Sequence, residues 1–470
     1  MNLLTISKVR ANSILLPIML GGSIAVGVML LSIHLDNEFI LLGLPLLCLI
    51  IILLIIFPEI SFGLFLTAGV YKADPRLEFL PIFLDLTVLF GFLSMVGVLY
   101  GILISRKIKL ILPQRSILWP YIIIIFLSFF SLTYTLASIY GTDKLLRLST
   151  ITLLSCFLPF YLFQKEAPID RFFLLFIALA FAMFLDIATG GLSPEEIGFK
   201  TAFGSNYLAV GRICGNAAIV LSLYSLMTSK SNLNKILYIV LLTTLLFALF
   251  ISGGRGPLIA LLLSVSCIFL YLLVRSLKSV MLNFTLKKNH LKILLIVFTV
   301  FLLVPIFLFI SFYEYFETII MRIHVLQEWG GFSALERILR FKRAFEAITS
   351  FPTAVTGLGI GGFSVYYEGF DDKRGAYPHN IFLEIGSELG LLGLLSFILM
   401  LYFSFYNGLS NIKKAQTNKM YFLSLTLLAL LINMLLNSSI SGDISDNRLL
   451  FAWIGIIYST KNLIKAMKVG

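Results

Sequence analysis

The chain has 470 residues, of which 59% are hydrophobic and only 13% are charged, and its mean hydropathy is +0.99. A soluble core cannot absorb this much apolar surface, so the composition excludes an ordinary soluble protein and predicts an all-α polytopic membrane protein. The formal net charge of +12 mostly reflects basic residues retained on the cytoplasmic side, so no nucleic-acid partner is expected.

The apolar runs predict about 14 membrane spans, which together form a single transmembrane domain over residues 1–470. The third run contains Gly63 and Gly69 and is short for a straight crossing, so it is predicted to be bent or re-entrant. One large outer connection, residues 312–385, is inserted between two spans. The predicted spans lie near residues 13–33, 38–57, 60–71, 83–104, 118–138, 148–163, 172–190, 206–228, 235–252, 257–274, 293–311, 386–408, 419–437 and 447–460.

Lysine and arginine are distributed differently on the two sides of this predicted topology. With both chain ends inside, the cytoplasmic segments hold about 16 lysines and 5 arginines, whereas the outer segments hold about 10 arginines and 5 lysines. Topology explains the inner lysines, but a guanidinium group can bind a phosphate or a carboxylate through two parallel hydrogen bonds. The outer face is therefore predicted to recognise an anion, with a solvated loop charge as the alternative for any single outer arginine.

Arg212 lies early in the eighth predicted span, between Gly211 and Gly215. An arginine that enters the membrane costs free energy unless it faces a cavity or a partner, so Arg212 is a candidate substrate-binding residue. The acids nearest to the spans, Asp85 and Asp186, are candidate structural partners for Arg212 and for Arg448, which lies beside the last predicted span.

Residues 252–257, with the sequence SGGRGP, join two apolar runs and predict a tight outer hairpin, with Pro257 in the first turn of the next helix. A helix N-terminus presents unpaired N–H groups, and glycines let an oxyanion approach the backbone. With Arg255 as a candidate catalytic cation, the hairpin is a candidate phosphate site. Alternatively, the glycines only permit the turn and Arg255 extends to the membrane interface.

Within the large connection, Ser333 and Glu336 have the spacing of a capping box, which predicts that a helix begins there. On this helix Arg340 and Arg343 lie opposite an apolar row, with Arg337 at the boundary. We predict a helix on the membrane surface whose three arginines bind substrate in a cavity; a surface helix with solvated charges is the alternative. The apolar row consists of Ile338, Phe341, Phe345 and Ile348.

His379 lies between Pro378 and Asn380, where the large connection meets the next apolar run. A neutral imidazole can accept a proton from a hydroxyl nucleophile, and the flanking proline and helix cap are expected to hold the ring at the membrane edge. His379 is therefore the candidate catalytic base. Glu384, one turn further on, is a candidate to orient His379, to act in its place or to bind substrate.

Other kinds of chemistry have no sequence support. There is no P-loop, no GxSxG and no HExxH, and the four cysteines have no paired spacing. The clearest acidic pair on an outer connection is formed by Asp371 and Asp372. We expect neither a metal ion nor a nucleotide cofactor.

Several of these motifs resemble those of one protein family. Residues 378–384 (PHNIFLE), followed by 388–395 (ELGLLGLL), are similar to the signature of the O-antigen ligase and O-antigen polymerase superfamily. Residues 335–337 and 357–363 resemble the rest of its large periplasmic loop, and residues 252–256 resemble its hairpin of serine and arginine. The chain departs from the commoner pattern at Ala354-Val355-Thr356, where a run like Pro-Leu-Leu is more usual.

The resemblance implies a GT-C-like glycosyltransferase of the bacterial inner membrane with an active site facing the periplasm. Donor and acceptor glycans are then carried on undecaprenyl diphosphate, membrane lipids surround the protein, and a chain-length regulator is a further expected partner. By position, Arg255 and Arg337 are implied to bind the diphosphate leaving group, and His379 to activate the acceptor hydroxyl. An O-antigen or capsular-repeat polymerase is the expected activity; a ligase that transfers to lipid A core and a polysaccharide transporter or flippase are the alternatives.

Overall fold

The computed structural model describes residues 38–78, 85–190, 201–279, 299, 301, 332–372 and 375–469. Within these ranges all regular elements are helices, and eight of the helices are long and apolar enough to cross a membrane. The predicted all-α polytopic class is therefore confirmed. The predicted spans 13–33 and 293–311 lie outside the described residues, apart from 299 and 301, so the total of 14 stays a prediction.

The helices are α1 (Glu38–Ile56), α2 (Pro58–Tyr71), α3 (Leu86–Leu103), α4 (Arg115–Ser131), α5 (Ser138–Leu162), α6 (Glu166–Ala188), α7 (Tyr207–Thr228), α8 (Asn232–Ile251), α9 (Arg255–Ser279), α10 (Phe332–Thr349), α11 (Thr353–Thr356), α12 (Gly362–Glu368), α13 (Ile381–Lys414), α14 (Asn418–Ser438) and α15 (Arg448–Val469). One π-helical turn lies within α5 and another within α7. A short 3₁₀ turn, Ile444–Asp446, precedes α15.

Helices α1 and α2 form one sharply bent pair. Their axes differ by 102°, and the break falls at Phe57, directly before Pro58. Proline lacks the N–H that would continue the hydrogen bonding of α1, so a new helix begins at this residue. The bend thus lies between the second and the third predicted runs and not at Gly63 or Gly69, and whether the third run is re-entrant stays a prediction.

Helices α7 and α14 form the centre of the bundle. Their most apolar windows are 89% and 78% buried, compared with 28% for the peripheral α8. Gly211 packs against Pro257 of α9, and the side chain of Asn433 on α14 donates a 2.9 Å hydrogen bond to Asn216 on α7. Small residues allow helices to approach closely inside a membrane, and polar side chains join them. This packing brings Arg212, one residue after Gly211, into the interior.

The start of α5 differs from the prediction. Residues 139–147 were expected to connect two spans, but α5 already begins at Ser138. The Asp371 carboxylate accepts hydrogen bonds from the backbone N–H groups of Ile139 at 2.7 Å and Tyr140 at 3.2 Å, which satisfies the first turn of the helix. The extra helical turns direct Lys144 into the bundle, where its side chain is fully buried.

Helix α13 begins before the predicted span 386–408 and is interrupted at Gly390, where φ is +66°. The interruption leaves two carbonyl groups without helical partners. The carbonyl of Ser387 accepts the N–H of Leu358 at 2.8 Å, and that of Glu388 accepts the N–H of Gly359 at 3.0 Å. The segment between α11 and α12 is therefore fixed to the N-terminal part of α13.

The chain between α14 and α15, residues 439–447, joins several helix ends at one end of the bundle. Its Ser439 carbonyl accepts the side-chain N–H of Asn380 at 3.0 Å, and its Ser441 carbonyl accepts Arg212 Nη2 at 2.9 Å. Gly256, at the start of α9, lies against Ile440. We call residues 439–447 the α14–α15 loop and this end of the bundle the polar end.

Candidate functional site

His379 lies at the polar end in an uncommon backbone conformation. Its φ is +57°, in the left-handed region that few residues other than glycine adopt. The following residue, Asn380, caps α13 by accepting the N–H groups of Phe382 at 3.0 Å and Leu383 at 3.1 Å. Because Asn380 also donates to the Ser439 carbonyl, the residue that follows His379 is fixed to both α13 and the α14–α15 loop. Such conformations are found preferentially at functional sites.

The surroundings of His379 keep its imidazole neutral. Burial, together with the positive charges of Arg340 and Arg337, lowers the pKa of His379 from 6.5 to about 4, against the opposing effect of Glu336. The ring of Tyr377 lies 4.3 Å from the imidazole, centroid to centroid. A neutral imidazole carries one lone pair that can accept a proton.

Arg340 is the closest cation to this imidazole. Its Nη1 lies 3.4 Å from His379 Nε2 and donates to the Tyr377 carbonyl at 3.2 Å. Its guanidinium also binds Glu336, and its Cζ lies 5.2 Å from the centre of the Tyr367 ring. Because arginine can only donate, this contact directs the lone pair of Nε2 towards Arg340 and leaves the proton on Nδ1.

Arg212 is half-buried and bonded to the α14–α15 loop through Ser441. The acids predicted to be its structural partners are engaged elsewhere. Asp186 forms a 2.8 Å ion pair with Arg76, and Asp85 forms a 3.4 Å ion pair with Lys72 while capping α3. The predicted pairing of Arg212 with Asp85 or Asp186 is therefore wrong, whereas the negative charge of Asp85 does act on Arg448.

Four side-chain nitrogens of the polar end are buried without a hydrogen-bond partner among the described residues. They are Arg147 Nε, which belongs to a side chain bonded to Asp446 of the α14–α15 loop, and Arg212 Nε, Arg340 Nε and His379 Nδ1. The electric field of Arg212 reaches Tyr377, whose ring contacts His379. Buried donors in native proteins are almost always satisfied, so unpaired ones in one region indicate a place for a bound group.

The other predicted arginines have different positions. Arg255 is exposed at the start of α9, in the predicted hairpin, where Gly253 has a φ of +71°. Arg337 is half-buried, and its charge acts on His379. Arg343 faces outward, with its side chain 57% exposed and bonded to Glu346 at 3.1 Å. Thus only part of the predicted arginine face of α10 is turned towards His379.

The apolar row predicted for α10 is not its buried face. Ile338 and Phe345 are more than 60% exposed, whereas Ala344 and Ala347 are buried. Small residues on the inner face let α10 approach α13 closely, and Arg340 occupies the same face. The larger side chains point outward, as expected of a helix that faces lipid.

A fully buried ionic cluster lies beside this site. Lys144 Nζ is 2.5 Å from Glu384, 2.8 Å from Glu388 and 3.9 Å from Asp443, and the Tyr140 hydroxyl donates a 2.5 Å hydrogen bond to Asp443. Burial alone would raise the pKa of Asp443, but the Lys144 ammonium and the Tyr140 hydroxyl hold it below its usual value. We call these five residues the Lys144 cluster.

The prediction for Glu384 needs correction. Its side chain is completely buried and accepts the backbone N–H of Ile444 at 3.0 Å in addition to binding Lys144. It therefore fixes the α14–α15 loop and is not available to substrate in this structure. Glu384 and Glu388, one turn apart in an apolar helix, were a sequence signal for a buried cation, which the sequence analysis missed.

These observations define a helical, multi-pass membrane protein with a basic polar site at one end of its bundle. Residues 238–398, about a third of the chain, match the family model described as O-antigen ligase. This segment thus matches the O-antigen ligase family, whose members are glycosyltransferase-like enzymes, and over these residues the match confirms the predicted resemblance to the O-antigen ligase and O-antigen polymerase superfamily. No curated protein matches the chain.

The matched segment contains most, but not all, of the site. Arg255, Arg337, Arg340 and His379 lie within it, whereas Arg212 lies before it. Lys144 and Asp443, which complete the ionic cluster, also lie outside the match. The rest of the chain therefore supplies the side chains that hold the matched segment in place.

Proposed function

We propose that this protein transfers glycans from undecaprenyl diphosphate to an acceptor hydroxyl, and that it is an O-antigen or capsular-repeat polymerase whose acceptor is a second lipid-linked repeat unit. The observation that carries the proposal is the set of unpaired nitrogens on Arg212, Arg340 and His379. The two guanidinium groups suit a diphosphate, and the Nδ1–H of His379 is a further unpaired donor. The lone pair of His379 lies on Nε2, and it suits a hydroxyl once Arg340 binds the diphosphate.

In the proposed reaction the acceptor oxygen attacks the anomeric carbon of the donor glycan. The bond between that carbon and the diphosphate oxygen breaks, and the diphosphate leaves with the electron pair. The hydroxyl proton passes to His379. Arginine donors stabilise the charge that develops on the leaving group, and they act most strongly where water is excluded.

The proposal assigns the polar end to the periplasmic face of a bacterial inner membrane, with the large connection 312–385 covering it within one transmembrane domain. Lipid tails then reach the site from the bilayer. The excess of lysine and arginine in the segments at the opposite, cytoplasmic side supports this orientation. The reaction as written needs no nucleotide and no metal ion, and a chain-length regulator stays an expected partner.

Purified protein with a lipid-linked donor tests the proposal. We expect His379→Ala to lower glycan transfer by about 10²-fold or more, because it removes the proposed base. We expect a similar loss for Arg255→Ala, because the resemblance to the superfamily assigns Arg255 to the diphosphate leaving group. Lys342→Ala, which removes an exposed cation from the same helix as Arg340, is the matched control. Normal transfer by both test variants would refute the assignment of the site.

The product of the same assay separates the two activities of the superfamily. A lengthened glycan that is still attached to the lipid carrier identifies a polymerase. A glycan attached to lipid A core identifies a ligase, and movement of intact lipid-linked glycan without a new bond identifies a transporter.

A further inference from the structure

A cavity lies at the end of the bundle opposite the polar end. Its volume is about 490 Å³, and it is bounded by the adjoining ends of α1 and α2, the C-terminal part of α3 and the start of α6. Helices α3 and α5 finish beside it, whereas α5 begins at the polar end. The volume is in the usual range for a small-molecule site.

One wall of the cavity is apolar and continuous with the surface that faces lipid. It is formed by Leu49, Ile52 and Ile56 of α1. Leu49 is 52% exposed and Ile56 is 38% exposed, and neighbouring leucines on the same helix are exposed to a similar extent. A molecule in this cavity can therefore remain in contact with the hydrocarbon of the bilayer.

The opposite wall is basic. It contains Lys107, Lys165 and Arg171, and the acid among the lining residues is Glu59. The Glu59 side chain is only 3% exposed and forms a 2.5 Å ion pair with Arg171, so these two charges neutralise each other. Lys107 and Lys165 have no ion-pair partner within the described ranges, which leaves the cavity with an excess of two positive charges.

The acids at the start of α6 do not reduce this excess. Glu166 and Asp170 are bound to Lys419 at 3.0 Å and 2.7 Å, on another side of the helix. The N-terminus of α6, which begins after Lys165, has no side-chain cap. Its unpaired N–H groups add to the positive potential of the basic wall.

The basic wall is held in place by the connection between α3 and α4. The side chain of Gln164 accepts the N–H of Lys109 at 2.9 Å and donates to its carbonyl at 2.6 Å. Ile108 packs on Gly101, where an added Cβ would collide with the isoleucine side chain. These contacts keep Lys107 close to the end of α5 and the start of α6.

We propose that this cavity is a binding site for an anionic phospholipid. The phosphate lies between Lys107 and Lys165, and an acyl chain follows Leu49, Ile52 and Ile56. Basic pockets between membrane helices bind such headgroups. A lipid fits better than a soluble phosphate, because only a lipid covers the apolar wall as well as the basic one.

Native mass spectrometry of the full-length protein from vesicles of equal parts phosphatidylglycerol and phosphatidylcholine tests the site. We expect retained phosphatidylglycerol in the wild type, and affinity lowered roughly tenfold or more by Lys107→Gln combined with Lys165→Gln. The control is Lys413→Gln combined with Lys414→Gln, two exposed lysines at the same end of the bundle. The proposal would be overturned if the Lys107/Lys165 and Lys413/Lys414 double variants both lost phosphatidylglycerol to the same extent, or both retained it.

A second variant tests the apolar wall without changing any charge. Leu49→Trp fills the space for the acyl chain and should also displace phosphatidylglycerol, while the protein keeps its elution volume in detergent. Glycerol phosphate at millimolar concentration should not compete. Competition by glycerol phosphate, or equal retention of phosphatidylcholine, would show that the cavity does not select an anionic lipid.

Discussion

The contact between Arg340 and His379 determines which imidazole nitrogen is free. In this structure Arg340 Nη1 faces His379 Nε2 at 3.4 Å, so Nε2 is not available to a hydroxyl. A diphosphate that binds Arg340 would draw the guanidinium towards itself and neutralise the charge that lowers the pKa of His379. We therefore infer that donor binding makes His379 a stronger base and exposes the nitrogen that accepts the proton.

Arg340→Gln tests this coupling through the pH dependence of kcat/KM. In the wild type His379 has a pKa of about 4, so the acidic limb of the kcat/KM profile, which reports on the free enzyme, lies near that pH. Removing the Arg340 charge removes one cause of the low pKa, so the acidic limb should move upward, towards the ordinary value of 6.5. Lys342→Gln, a change of the same charge on an exposed part of α10, should leave the limb in place.

The pH at which the acidic limb of the kcat/KM profile lies, rather than the size of kcat/KM, decides whether Arg340 influences His379. A lower rate with an unchanged limb would mean that Arg340 binds substrate but has no influence on the base. Loss of the limb in His379→Ala, with residual activity at all pH values, is the accompanying check that the limb belongs to this residue.

At the scale of elements, the Lys144 cluster joins α5, α13 and the α14–α15 loop. One ammonium group faces three carboxylates in the interior, with a phenol as an additional donor. The free energy needed to remove these charges from water offsets much of the free energy gained from their attraction. Removing one partner, however, leaves the remaining buried charges uncompensated. The cluster therefore fixes the positions of these elements more than it adds to total stability.

Lys144→Met should destabilise the protein by about 3–5 kcal/mol, as expected when one partner of a buried ion pair is lost. The measurement is thermal unfolding in detergent. Lys72→Met, which breaks the exposed pair with Asp85, is the control and should cost about 1 kcal/mol or less. In the Lys144→Met background, Glu388→Gln should restore part of the lost stability, because it removes an uncompensated negative charge. If Lys144→Met and Lys72→Met lowered the stability equally, the assignment of Lys144 to a buried ionic cluster would be contradicted.

Local sequence signals predicted some of these elements and missed others. The capping-box spacing predicted α10, and Pro257 predicted the start of α9, because both signals act within one helical turn. The first turns of α5 were missed because their cap, Asp371, lies more than 200 residues further along the chain.

The same distinction holds for the site. Arg212 was predicted from the cost of burying its charge, which a single residue reveals. Lys144 was interpreted as part of an outer connection, because its partners Glu384 and Glu388 are about 240 residues away in sequence. The spacing of Glu384 and Glu388 indicates that a cation is buried beside them, but it does not identify Lys144 as that cation.

At the scale of the whole molecule, the orientation in the membrane can be tested by cysteine labelling. In a background without native cysteines, Ser350→Cys after α10 should react with a reagent that is confined to the outside, because the proposed orientation places the large connection on the outer face. Lys230→Cys, between α7 and α8, should be protected until the membrane is opened. Both positions are exposed, so the reversed pattern would contradict the proposed orientation directly.

The α14–α15 loop connects the two sides of the proposed site. The Ser439 carbonyl accepts a hydrogen bond from Asn380, which positions His379. The Ser441 carbonyl accepts a hydrogen bond from Arg212. A donor that moves Arg212 therefore also moves the backbone that supports the acceptor side. Affinity for one substrate then depends on occupancy by the other, and the factor is the same in both directions. We expect the two lipid-linked glycans to bind cooperatively rather than independently.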